Sequence, residues 1–137
     1  MKLKIIENII KSFHEVCINL SEVEDISFRK IEWNQLNRFQ CFYSINIKDI
    51  EVLVDIELMN AMVDAIVDEQ KFPEPNNIID EISIEGAEYI FNQVLKDLNI
   101  VEDFKINIKS DFNLEGVKTY YKFSIDNIDG YICINVK

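Results

Sequence analysis

Glycine is scarce in this chain: three residues out of 137, at Gly86, Gly116 and Gly130. They stand too far apart to form a P-loop or a G-x-G-x-x-G turn, which excludes the usual glycine-built phosphate cradles. Histidine is scarcer still. The sole one, His14, precedes Cys17 by about one helical turn, and two ligands leave a zinc site incomplete, because such sites take three or four. A Ser-His-Asp triad would also have to use His14, and no serine stands in a G-x-S-x-G elbow. His14 therefore reads as a helix-face residue without a catalytic part, and no metal or cofactor is expected. The three cysteines, Cys17, Cys41 and Cys133, form no C-x-x-C pair, and no secretory or membrane-spanning segment is legible, so the expectation is a reduced, cytoplasmic chain. Basic residues are also few. Fourteen Lys and Arg against 25 acids give a net charge of −11 with no basic cluster, which argues against nucleic acid and anionic membranes as partners.

What is present is apolar and patterned. Hydrophobic residues make up 48% of the chain, and a chain of this size buries roughly two-thirds of its unfolded surface, enough for one core without staples. Residues 1–137 are accordingly expected to form one domain. From Lys2 to Leu20, the residues Ile5, Ile6, Ile9, Ile10, Phe13, Val16, Cys17 and Leu20 keep the rhythm of an amphipathic helix. Ser27 to Trp33, Arg38 to Ile47 and Ile50 to Ile56 read as three strands, rich in aromatic and β-branched residues. Glu57 to Val67 returns to helical period, with Leu58, Met59, Met62, Ala65 and Ile66 as one side, until the Phe72-Pro-Glu-Pro-Asn-Asn linker stops it.

Asn76 or Asn77 is expected to cap the next helix, whose buried face would be Ile79, Ile82, Gly86, Ile90 and Val94, running on to Asn99. Phe104 to Lys109, Lys118 to Ile125 and Gly130 to Val136 alternate as strands, the last entered through an Asn127-to-Gly130 turn. The order α-βββ-αα-βββ implies an α+β fold (α/β layered), with helices packed on an antiparallel or mixed sheet. Met59 and Met62 read as core filler, Trp33, Phe39 and Phe42 as sheet packing, and the adjacent Tyr120 and Tyr121 as facing opposite sides. The final strand carries few of the charges or prolines that guard a sheet edge, so a homodimer through that edge is also expected.

On the long helix, Glu81, Glu85, Glu88 and Asn92 recur at spacings that stack them along one outward line. Any amphipathic helix in so acidic a protein presents carboxylates to water, so the line by itself fits a solvated face equally well. The segment Asp80-Glu-Ile-Ser-Ile-Glu-Gly-Ala-Glu-Tyr-Ile-Phe-Asn-Gln-Val-Leu-Lys-Asp-Leu98 resembles the CheC/CheX/FliY family of chemotaxis phosphatases. So do the opening helix and the Glu51-Val-Leu-Val-Asp-Ile strand that runs into a short helix. The resemblance spans nearly the whole chain. The family pattern of Asp or Ser, three residues, Glu, two residues, Asn, and later a Pro falls here on Glu81, Glu85, Glu88 and about Asp111, and the central Glu alone matches.

The resemblance implies a CheX-like domain that lays this helix on a CheY-type response regulator in two-component signalling, with Glu81, Glu85 and Glu88 as contacts. In the family the motif Asn orients water onto the aspartyl phosphate and the Glu pairs with a regulator lysine. Any magnesium would belong to the regulator. An amide both donates to and accepts from water, whereas an ionised carboxylate only accepts and repels a phosphoryl group, so Glu88 weakens or abolishes that phosphatase chemistry. Asn92 shares the line about 6 Å further along the axis, so Glu88 and Asn92 offer a displaced acid and amide pair, and with Glu85 they are the candidate catalytic residues. A reading from another class remains: a non-enzymatic acidic interaction protein, such as a scaffold, immunity protein or inhibitor of a basic partner.

Overall fold

The computed structural model describes residues 2–32, 41–110 and 116–137. The order is α1 (Lys2–Leu20), β1 (Ile26–Ile31), β2 (Phe42–Ile47), β3 (Ile50–Asp55), α2 (Ile56–Ile66), α3 (Glu81–Asp97), β4 (Asn107–Lys109), β5 (Val117–Ile125) and β6 (Ile128–Val136). The α+β class and the succession of helices and strands agree with the periodicity of the sequence. Trp33 and Phe39 lie outside the described residues, as do Asp111 and the start of the Arg38 strand.

The six strands form one antiparallel sheet in the order β1-β5-β6-β3-β2-β4. Two hairpins build its centre. In each, an isoleucine pair closes a two-residue turn whose first residue is left-handed: Lys48 (φ 55) between Ile47 and Ile50, and Asp126 (φ 54) between Ile125 and Ile128. The expected turn at Asn127 to Gly130 is therefore corrected by two residues, because Gly130 lies inside β6. Its role there is clearance: an ideal Cβ on Gly130 would stand 2.5 Å from Leu58 Cβ, so its bare backbone lets α2 settle on the sheet. β6 is also not an edge, being paired with β5 on one side and β3 on the other. That removes the basis for a homodimer through it; the edge strands are β1 and β4.

Alternation along each strand splits the sheet into two unlike faces. One face carries Tyr43, Ile45, Val52, Val54, Phe123 and Ile134, all part of the main apolar core. α2 lies across it against β2, β3, β5 and β6, α1 lies beside it against β1 and β6, and α3 packs across α1 and α2. α2 is buried almost all round, Met59 and Met62 included. Tyr121 joins this core, while its neighbour Tyr120 faces the other way.

The opposite face mixes Phe42, Leu53 and Cys133 with the buried polar residues Ser44, Glu51 and Asn135. Glu51 accepts from Lys109 Nζ, reaching over from β4, and from Ser44 Oγ at 2.9 Å. Burial pushes the Glu51 carboxyl up, but the bonds from Lys109 and Ser44 and the lysine's charge more than offset this, leaving it below its ordinary value. The two fully buried thiols, Cys17 and Cys133, are pushed up to about 12 by burial and stay protonated at neutral pH.

Candidate functional site

α3 begins where Asp80 and Ser83 close a capping box: Ser83 N donates to Asp80 Oδ1 and Asp80 N donates to Ser83 Oγ, each at 2.8 Å. Asp80 thus replaces Asn76 or Asn77 as the expected cap. Asn76 is occupied elsewhere. Its carbonyl and Oδ1 accept from Asn60 Nδ2 of α2 at 3.2 and 2.9 Å, and Ile78 O accepts from the same amide at 2.9 Å. Asn60 is itself buried and pins the linker to α2 just before α3 starts. At the other end Asn99 turns left-handed (φ 57), and Ser12 Oγ of α1 donates to Asp97 Oδ2 at 2.8 Å. The helix is fixed at both ends.

Its buried face is Gly86, Ala87, Ile90, Phe91, Val94 and Leu95. Phe91 meets Phe13 of α1 and Phe104 edge-on, with ring centroids 6.0 Å apart in both cases. The expected core residues Ile79 and Ile82 are not in this set. Ile82 is 75% and Ile79 41% exposed, because they precede the crossing with α2, which occurs at Gly86. An ideal Cβ on Gly86 would come within 2.5 Å of Val63 Cγ1.

Glu81, Glu85, Glu88 and Asn92 are all exposed on the outward side. Among the described residues none of the three glutamates is ion-paired. At about 100° per residue, Glu81, Glu88 and Asn92 fall on one side of Glu85, whereas Ile82 and Tyr89 fall on the other, each within about 60°. The two flanks border different neighbours. On the first, Glu88 and Asn92 share a shallow cleft with Glu102, Asp103 and Phe104, and Glu102 is paired with Lys48 at 3.4 Å. On the second, α3 and α2 enclose a groove lined by Val63, Val67, Asp68, Ile82, Glu85 and Tyr89.

Sequence reasoning missed the second flank and the carboxylates of residues 102 and 103. Of the former, the helical period places Ile82 in the core and gives Tyr89 and Val67 no part, and the latter approach α3 through the chain's return to β4, which no local period signals. His14 plays no part in the site: its Nε2 donates to the Ile26 carbonyl at 3.0 Å, and its ring lies edge-on to Phe28, 5.2 Å away. No cluster of three or more His, Cys, Asp or Glu side chains is placed to hold a metal among the described residues. No helix there is long and apolar enough to cross a membrane.

Solved structures share this architecture. A chemotactic CheC-like protein from Shewanella oneidensis superposes with a TM-score of 0.60 at 12% identity, covering 100% of both chains. CheX from Borrelia burgdorferi, solved as a complex with CheY, BeF3 and Mg2+, gives a TM-score of 0.55 at 15% identity, covering 96% of this chain and 97% of that one. FliY from Thermotoga maritima gives 0.53 at 13%, covering 90% and 82%.

This is the CheC/CheX-type fold.

No family model matches the sequence, and comparison with curated proteins gives no match. The likeness is thus one of backbone path rather than of residues. Within the CheC/CheX-type fold of this chain, the helix bearing Glu85 packs on its neighbours through one face and leaves the other bare.

Proposed function

We propose that this chain is a cytoplasmic CheC/CheX-like chemotaxis domain that docks through the outward side of α3 on a CheY-type response regulator and has weakened or no phosphatase activity. One observation carries the reading: Glu81, Glu85, Glu88 and Asn92 line the exposed side of a helix capped at Asp80 and pinned by Asn60 and Ser12. A rigid helix with a bare polar face is a preformed docking element, which lowers the ordering cost of binding. The CheX relative bound to CheY supports the choice of partner.

The chemistry at residue 88 supports the loss of catalysis. A water poised to attack an aspartyl phosphate needs a neighbour that orients it without adding negative charge. Glu88 can only accept from such a water, and it repels the phosphoryl oxygens in a site from which solvent is excluded. Asn92 has the right chemistry but sits about 6 Å along the axis from residue 88, too far for a positioning group in an unshifted complex. Magnesium needed for regulator phosphorylation belongs to the regulator.

The test is phosphate release from a panel of phosphorylated CheY-type regulators, measured beside binding. Wild-type protein is expected to bind at least one regulator without accelerating its dephosphorylation; Glu85→Ala should weaken binding and Asn92→Ala should not. Glu88→Asn is expected to raise the release rate by about tenfold or more, the scale on which single positioned groups act. If no regulator binds, the docking role is wrong. If binding instead falls steeply with salt and depends on acids spread over several elements, the acidic interaction protein replaces it.

A further inference from the structure

The outward side of α3 is only half acidic, and its other half has no explanation in the acidic line. Ile82 is 75%, Tyr89 43% and Val67 47% exposed. Single exposed apolar side chains are ordinary on a protein surface. These three line one groove, with Val63 and the Gly86 crossing as its floor and the carboxylates of Glu85 and Asp68 on its walls. Ile78 and Ile79, 60% and 41% exposed, extend the apolar character into the segment that leads into α3.

We infer that this α2–α3 groove is the anchor of the interface, taking an apolar protrusion of the partner that also carries a lysine or arginine for Glu85. The inference rests on the regulator-docking reading and adds which residues hold the affinity. Exposed carboxylates such as Glu81 and Glu88 are screened by water and salt; they steer encounter and set the rim. Apolar and aromatic side chains that become fully desolvated hold the bound state, and a charge pair beside them gains strength from the same exclusion of water. Charge complementarity selects the occupant. Glu85 and Asp68 in a chain of net charge −11 disfavour a second copy of the same acidic groove and favour a cationic, apolar surface.

The experiment measures association and dissociation of the full chain with purified CheY-type regulators in their beryllofluoride form, at low and high salt. Ile82→Ala and Tyr89→Ala are each expected to weaken binding about tenfold or more, through faster dissociation that salt does not change. Ile82→Met, which keeps the apolar volume, should bind within about twofold of wild type. Glu81→Ala and Glu88→Ala should mainly slow association, and less so in high salt. All four side chains are exposed, so thermal unfolding should stay unchanged and separate lost contacts from lost fold.

Wild-type binding by Ile82→Ala and Tyr89→Ala, with loss confined to the glutamate variants, would overturn the groove while leaving regulator docking in place. Failure of wild type to bind any regulator overturns both. A dimer in sedimentation that Ile82→Ala dissolves assigns the groove to a second copy and overturns the inference as stated.

Discussion

The two faces of the sheet solve the same packing problem with opposite materials. Against the helices, Tyr43, Ile45, Val52, Val54, Phe123 and Ile134 make a dry apolar layer in which no charge needs a partner. On the other side Glu51, fully buried, is held by Lys109 and Ser44 among Phe42, Leu53 and Cys133. Apolar burial is forgiving of swaps that conserve volume. A buried carboxylate is not, because its cost is repaid only while its cation and hydrogen-bond donors stay in place. The charged face should therefore be the brittle one, and β4, a three-residue edge strand, depends on it most.

Several measurements can break that contrast. Lys109→Met, which orphans Glu51, is expected to cost about 3 kcal/mol in urea unfolding. The double change Lys109→Met with Glu51→Gln should cost clearly less than Lys109→Met alone, since no uncompensated charge remains. On the apolar face, Gly130→Ala drives a methyl into Leu58 and should cost about 1–3 kcal/mol. Acidification sharpens the comparison. The folded pKa of Glu51 lies below its ordinary value of 4.5, so its stabilisation is complete above that value and fades as pH falls towards the folded pKa. Wild type should thus lose stability more steeply than Glu51→Gln below about pH 4.5. Smallest of all, Glu85→Ala touches neither face and should shift stability by less than about 0.5 kcal/mol, leaving its effect on binding alone.

Much of the architecture was legible because helices and strands write their periods locally. The α1 pattern at Ile6, Ile9, Ile10, Phe13, Val16 and Cys17 is buried as its spacing demands, although Ile5 and Leu20 at the stripe's margins are 42% and 43% exposed. Which element covers a given stripe is not written locally. Ile82 continues the apolar period of α3 but projects before the α2 crossing, so the same spacing that correctly buries Ile90 and Val94 misplaces it. β6 carries only one charge, Asp129, and needs no edge protection because it is not an edge, a fact fixed by strand order rather than by its own residues. The cap moved to Asp80 because Asn60, sixteen residues before Asn76, claims that side chain first. The outward glutamates follow from helical spacing; their division into an acidic flank and an apolar one depends on α2 and residues 102–104, which arrive from elsewhere in the chain.

Gly86 gives the molecule an adjustable dimension. The separation of α3 from α2 is set by a hydrogen atom where most helices carry a methyl group or more, and Val63 occupies the space so released. Enlarging residue 86, or trimming Val63, would widen or narrow the distance between Glu85 and Asp68 by acting on the floor of the groove rather than on its rim. Partner preference could then be tuned from underneath the surface, as a jaw is set by its hinge pin.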